Sequence, residues 1–342
     1  MSTLELLHTV GYPTPEFDSH SIQESRELYR LARRNKIGSL YVKRLYDTGE
    51  LDTLASEWEN RKDFIDRKEQ ATRRICELIP SGVTYAIVKS YPFWVDSSDV
   101  DILLFQESTD DIMELIRNGQ YDVSDYSPTT ITATDLVTDI EIDFQIGFSL
   151  QELIYFDRET IRDGIKYQET DEIDTPFIPG PDDLALMTIH SISEQLFILK
   201  EFYGAIYYLE SFDEEDFERF QKIVAENGLQ YACGAFFSLV STLSQQAFGT
   251  QPELLDRVLE LYPPNHVEQQ KLLDNDLTVP HRYSSRTILS SIRGKFQNKR
   301  FRSSFYTQFK RGLNPLYTIE MLRKLWHRQI REHYVHDTSD IQ

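Results

Sequence analysis

The chain is 342 residues long, and its 40% hydrophobic and 12% aromatic content supports a full core in two packed lobes and excludes a disordered protein. A formal net charge of −20, from 56 acidic against 36 basic residues, reads as a solvated acidic surface of the kind halophilic proteins use to stay soluble in salt. Two cysteines, Cys76 and Cys233, exclude a disulfide framework and a Cys-x-x-Cys metal site, and neither a signal-peptide layout nor an apolar run of the roughly eighteen residues of a membrane span is present, so a cytoplasmic protein with no transmembrane segment is expected.

In chain order, residues 1–18 read as an extended lead-in, because Pro13 and Pro15 disfavour helix. Residues 19–47 read as one or two helices, capped by Ser19 or Ser21 and broken near Gly38. A long amphipathic helix over 51–79 turns Leu51, Leu54, Trp58, Phe64, Ile65 and Ile75 toward a core and stops at Pro80-Ser81-Gly82. Residues 83–148 form an α/β unit. In it, 85–88 and 102–105 are apolar strand runs, 110–118 a helix capped by Ser108 or Thr109, 121–123 and 130–133 short strands, and 139–146 a nearly strict alternation. Residues 149–181 are polar and irregular apart from a short helix around 159–163.

Pro181-Asp182-Asp183 then opens a helical half, with acids complementing the helix dipole. Its helices run over 184–209 (one or two), 212–227 and the mostly apolar 228–248. A short helix over 252–263 and a linker over 274–282 lead to a basic segment, in which 318–334 reads as an amphipathic helix separated by Gly312–Pro315 from residues 288–310. The expected organisation is α+β. It has an N-terminal helical segment (1–82), a catalytic unit with a small mixed sheet (83–175), a helical bundle (176–270) and a basic C-terminal segment (271–342).

The chemistry gathers around 85–105. Alternation in a strand points Asp99 and Asp101 to one face, and paired carboxylates repel and cost desolvation unless a partner joins them. Hard oxygen ligands suit Mg²⁺ (or Mn²⁺). On the alternating strand, Asp139, Glu141, Asp143 and Gln145 share a face, so two strands can build a three-carboxylate cup for two metal ions, the arrangement of in-line nucleotidyl transfer.

Lys89-Ser90, then Asp99-Val100-Asp101-Ile102, then Ile142-Asp143-Phe144 resemble the nucleotidyltransferase fold of the polymerase-β-like superfamily. They are most similar to a family of largely uncharacterised nucleotidyltransferases that read Lys-Gly, Asp-x-Asp and hydrophobic-Asp-hydrophobic. The resemblance extends from about Leu28 to Gly249 and takes in residues 29–35 and 182–190. It implies catalytic metal ligands Asp99, Asp101 and Asp143, and nucleotide contacts by Lys89 and Ser90, with Lys200 as a contact from the helical half or an exposed lysine. Glu141 reads as the carboxylate behind the ligands or as the base, and His190 as a core histidine or a cleft residue. The implied reaction moves an NMP from an NTP to a hydroxyl acceptor with release of pyrophosphate; a catalytically degenerate nucleotide- or partner-binding module is the alternative. Two departures stand out: Ser90 replaces the family's glycine, and Asp96, Ser97 and Ser98 stand where many relatives carry an arginine.

One feature lies outside the resemblance. Residues 280–342 carry 13 Lys/Arg against 4 Asp/Glu, a net +9, which leaves −29 on the remainder. With Tyr283, Phe296, Phe301, Phe305, Tyr306 and Phe309 interleaved, this segment reads as an RNA-binding element, an anionic-membrane contact, or a basic flank docked on its own acidic body.

Overall fold

A computed structural model describes residues 2–11, 22–51, 54–80, 82–89, 93–97, 99–105, 110–126, 130–150, 153–170 and 173–312. The expected α+β architecture is observed, with helices on both faces of a mixed sheet. Four helices come first: α1 (Thr3–Val10), α2 (Ile22–Arg34), α3 (Gly38–Thr48) and α4 (Ala55–Leu78). The expected extended lead-in is a helix in its first ten residues. Ser2 and Glu5 form a reciprocal capping box that outweighs the prolines downstream, and Gly11 ends the helix at φ +79°.

The central sheet is built from β1 (Tyr85–Val88), β2 (Asp99–Leu104), then α5 (Asp110–Asn118), β3 (Tyr121–Tyr126), β4 (Thr130–Asp135) and β5 (Ile140–Gln145). A small hairpin follows, β6 (Phe148–Leu150) and β7 (Leu153–Phe156), before β8 (Lys166–Thr170) and β9 (Ile173–Phe177). The seven strands lie in the order β3-β4-β5-β2-β1-β9-β8, and the pairs β2–β5 and β1–β9 are parallel. The stretch expected to be irregular thus supplies two sheet strands, a hairpin and two 3₁₀ turns. Its polar residues sit at the sheet edge, where one side of the ladder faces water and periodicity carries little signal.

Alternation divides the sheet. Ile87, Val100, Ile102, Leu104, Ile131, Ile142 and Phe144 pack against Ile75 of α4 and Ile112 and Ile116 of α5. Ala86, Val88 and Leu103 join the larger core on the other side. That core is filled by α6 (Gly180–Ser193), β10 (Leu196–Phe197), α7 (Leu199–Ser211), α8 (Glu214–Asn227) and α9 (Gln230–Phe248). The chain continues through α10 (Glu253–Leu261), α11 (His266–Asp274), β11 (His281–Arg282), α12 (Ser285–Lys295) and α13 (Lys299–Gly312), with Leu255, Val258 and Leu272 adding to that core.

Two junctions hold these parts in register. Asp96, in the β1–β2 connection, accepts from Gly38 N and Ser39 N at 2.8 Å each and from Ser39 Oγ at 2.5 Å, capping α3 from a distant part of the chain. A Cβ at Gly38 would lie 2.6 Å from Asp96 Oδ2 and 2.8 Å from Arg33 Cγ, so a larger residue there would displace the capping carboxylate. The acid that departs from the family pattern therefore has a structural duty.

The second junction is at 274–282, which is no free linker. Leu277 and Val279 are buried, β11 pairs with β10, and Asn35 Nδ2 donates to Val279 O at 3.2 Å. The basic segment continues this packing. Ser304 Oγ accepts from Ile154 N at 3.2 Å, Arg300 pairs with Asp157 at 3.2 Å, and the buried Lys295 donates to Tyr155 O. The described part of that segment docks on its own body; the helix expected over 318–334 lies outside the described residues. No helix among the described residues is long and apolar enough to cross a membrane.

Candidate active site

The parallel register of β2 on β5 puts Asp99 opposite Glu141 and Asp101 opposite Asp143. Period-2 geometry then turns all four acids to the face that also carries Val88 and Leu103. Ligand atoms of Asp99, Asp101 and Asp143 lie within 4.8 Å of one another. Asp139, expected on the same face, lies in the turn before β5 with φ +57° and is exposed. Glu141 is also exposed, at the rim.

Each carboxylate of the cup has neighbours that orient it. Asp101 is 4% exposed and accepts from Lys89 Nζ at 2.8 Å and Gln145 Nε2 at 2.5 Å. Asp99 Oδ1 accepts from Ser97 Oγ at 2.6 Å, and Asp143 Oδ1 from Thr132 Oγ1 at 2.5 Å. Burial pushes Asp143 up to about 6, aided by Asp101, Asp99 and Glu141 and opposed by the Thr132 bond. Burial likewise raises Asp101, whereas at Asp99 the opposing pull of Lys89 and Lys68 overcomes burial and holds the carboxylate below its ordinary range. The cup is electrostatically uneven.

Lys89 follows β1 in a left-handed conformation, φ +58°, unusual for a side-chain-bearing residue. Its N–H donates to Asp183 Oδ1 at 2.9 Å, and Asp183 Oδ2 accepts from Tyr208 Oη at 2.6 Å. Asp183 is 1% exposed, and burial pushes it up to about 6. Asp182 beside it is clamped by Arg219, with N–O distances of 2.5 and 2.7 Å. The acids at the start of α6 thus hold Lys89 and α8 in place in addition to complementing a dipole.

The structure also gathers residues that carry no sequence motif. Lys36 lies in the α2–α3 turn at φ +55°, and Lys68 lies on α4; both are half-buried. Burial, then Lys200, lowers the Lys36 ammonium, and burial also lowers Lys68 against the pull of Asp99 and Asp101. Lys200 is buried rather than exposed, with Nζ 3.4 Å from Glu201 Oε1 and its N–H donating to Asn35 O at 3.2 Å. His190 Nδ1 lies 3.4 Å from Tyr155 Oη, and burial, then Lys89, Lys200 and Lys36, holds the imidazole well below its usual range. Ser90 lies outside the described residues. One signal for Lys68 was within reach: Ile65, Lys68 and Thr72 recur at helical spacing on a single face of α4.

Compared with known proteins, the chain matches no family model and no curated protein. Among solved structures it is similar to a STING-associated CdnE c-di-GMP synthase from Capnocytophaga granulosa. The identity is 15% over 75% of this chain and 100% of that one, with a TM-score of 0.29. A likeness at that level carries no functional weight, and the reading below rests on the chain's own residues.

Proposed function

We propose that the chain is a metal-dependent nucleotidyltransferase that moves an NMP from an NTP to a hydroxyl acceptor and releases pyrophosphate. The observation that carries this reading is the approach of Asp99, Asp101 and Asp143 to within 4.8 Å from two parallel-paired strands. An all-oxygen donor set of three carboxylates fits Mg²⁺ or Mn²⁺. Asp99 and Asp101 would hold both ions and Asp143 one. When bound, the ions lower the pKa of the acceptor hydroxyl and neutralise charge on the reacting phosphate.

The protein's own residues orient and compensate. Gln145 and Thr132 fix the ligand carboxylates by donating to Asp101 and Asp143. Lys89, held by Asp183 and paired with Asp101, would steady the outgoing pyrophosphate, with Lys200 as a further nucleotide contact. Glu141, at the rim opposite Asp99, backs the ligand carboxylates and offers one outlet for the hydroxyl proton, with solvent at the open rim as another. The test is incubation of the purified chain with each labelled NTP, Mg²⁺ and a cell extract. Label should transfer from one NTP with matching pyrophosphate release; no transfer from any of the four ends the enzymatic reading.

For the acceptor, one observation favours RNA. Residues 280–312 contain nine Lys/Arg and no Asp/Glu in a chain of net charge −20, so the whole positive excess lies on the α12–α13 side. On α13, Arg302 and Lys310 are exposed beside Tyr306 (61%) and Phe309 (62%), a basic face with rings free to stack. Deleting the segment would unpair β11 and unseat Tyr283, so the usable variant is the double reversal Arg302→Glu, Lys310→Glu. It should weaken tRNA binding about tenfold or more at low salt and flatten its salt dependence. Unchanged affinity would remove RNA from this surface.

A further inference from the structure

Lys36, in the α2–α3 turn, and Lys68, on α4, have no part in the reaction as proposed above. Lys68 projects with Ile65 and Thr72 into a cavity of about 460 Å³ that is also lined by Lys89, Asp99 and Asp101. It therefore shares one space with the acidic cup. Lys36 is set by its backbone: its carbonyl accepts from Asp96 N at 3.1 Å, and the preceding Asn35 O accepts from Lys200 N at 3.2 Å. Among the described residues neither lysine forms an ion pair, and Lys68 Nζ reaches Ser97 O at 3.5 Å. A cation withdrawn from water with no counter-ion in contact is costly, and that cost is recovered when an anion enters.

The charges indicate which anion. Asp99 and Asp101 share this cavity with Lys68 and Lys89, and Asp99 acts on Lys36 through space, so the acids are partly answered before any ion arrives. Divalent cations entering the carboxylates leave a positive surplus, and a triphosphate chain of about four negative charges cancels the surplus of two such ions. We propose that Lys68, with the charge of Lys36 acting in support, closes the cup from the N-terminal side as an anion cradle for a linear polyphosphate chain. The identification of that chain as the nucleotide's tail rests on the nucleotidyltransferase reading. Burial now holds both amines below their ordinary range, and an incoming polyphosphate reverses that shift.

The competing account is that the two lysines only neutralise the carboxylates, and it predicts a different affinity to change. Titration calorimetry on the full chain, with sodium tripolyphosphate at saturating Mg²⁺ and with Mg²⁺ alone, separates the two for Lys36→Met, Lys68→Met and Lys68→Arg. The cradle requires tripolyphosphate affinity to fall about tenfold or more in each Met variant and to recover in Lys68→Arg, with Mg²⁺ affinity unchanged or higher. It is overturned if tripolyphosphate fails to bind the unaltered chain, binds the Met variants as tightly, or if only Mg²⁺ affinity moves. Tripolyphosphate binding in a chain that transfers no nucleotide keeps the cradle and removes the enzyme. Nucleotide transfer by both Met variants with unaltered KM and kcat removes the cradle and keeps the enzyme.

Discussion

Two buried acidic centres of this chain make opposite use of their carboxylates. Glu268 on α11 is fully buried, and its oxygens accept from Thr287 Oγ1 at 2.5 Å, His281 Nε2 at 2.8 Å and Ser284 N at 2.9 Å. Burial alone would raise it, yet the His281, Thr287 and Ser284 bonds hold it down at about 2. Asp143 has one hydroxyl donor and two carboxylates close by, and is pushed up to about 6. A carboxylate whose lone pairs are all answered from within the fold serves the fold. One left beside like charges stores an electrostatic cost that a cation relieves. The contrast separates a structural acid from a candidate ligand-binding one without reference to any relative.

The variant with the largest effect breaks the cup. Asp101→Asn should lower nucleotide transfer by a factor of about 10³ or more and weaken Mg²⁺ binding while the fold stays intact, since relief of the like-charge contact offsets the ion pair that Lys89 loses. Transfer at the unaltered rate would remove Asp101 from the metal site.

Breaking the other centre should act on stability. Glu268→Gln should cost on the order of 2–4 kcal/mol, because the donors around it lose a charged acceptor. The sign with pH follows from a folded pKa below the unfolded one. The contribution is complete above about 4.5 and disappears as pH falls through about 2, so the unaltered chain loses stability across that window and the variant does not. Parallel acid limbs in denaturant titrations of the two proteins would contradict the assignment.

Within the cup, the comparison sharpens to two acids on one strand. Asp143→Ala should lower transfer about 100-fold or more and Glu141→Ala about tenfold or less, because Asp143 pairs with Asp101 inside the cup while Glu141 stands at the rim. The reverse order would mean that the metal sits nearer the rim.

What was legible in the sequence is what local periodicity encodes. Alternation put Asp99 and Asp101 on one face and Asp143 on another strand's matching face, and caps and breakers marked α4, α5 and α9 to within a few residues. Signals that depend on partners were not legible. The strands after residue 165 carry polar edge residues, and 274–282 looks like a linker until Leu277 and Val279 meet the core. Asp96 reads as a departure from a pattern until α3 brings Gly38 to it.

The chain's own order of residues determined the acid pairing, because a strand's two-residue period is a property of the backbone alone. Only the tertiary structure decided which cations answer those acids. Lys36 in the α2–α3 turn and Lys68 on α4 have no fixed spacing from Asp99, and the packing of the N-terminal helices around the sheet's end is what brings them into its field. Charge acts through space and periodicity acts along the chain, which is why the carboxylates could be read from the sequence and their counter-charges could not.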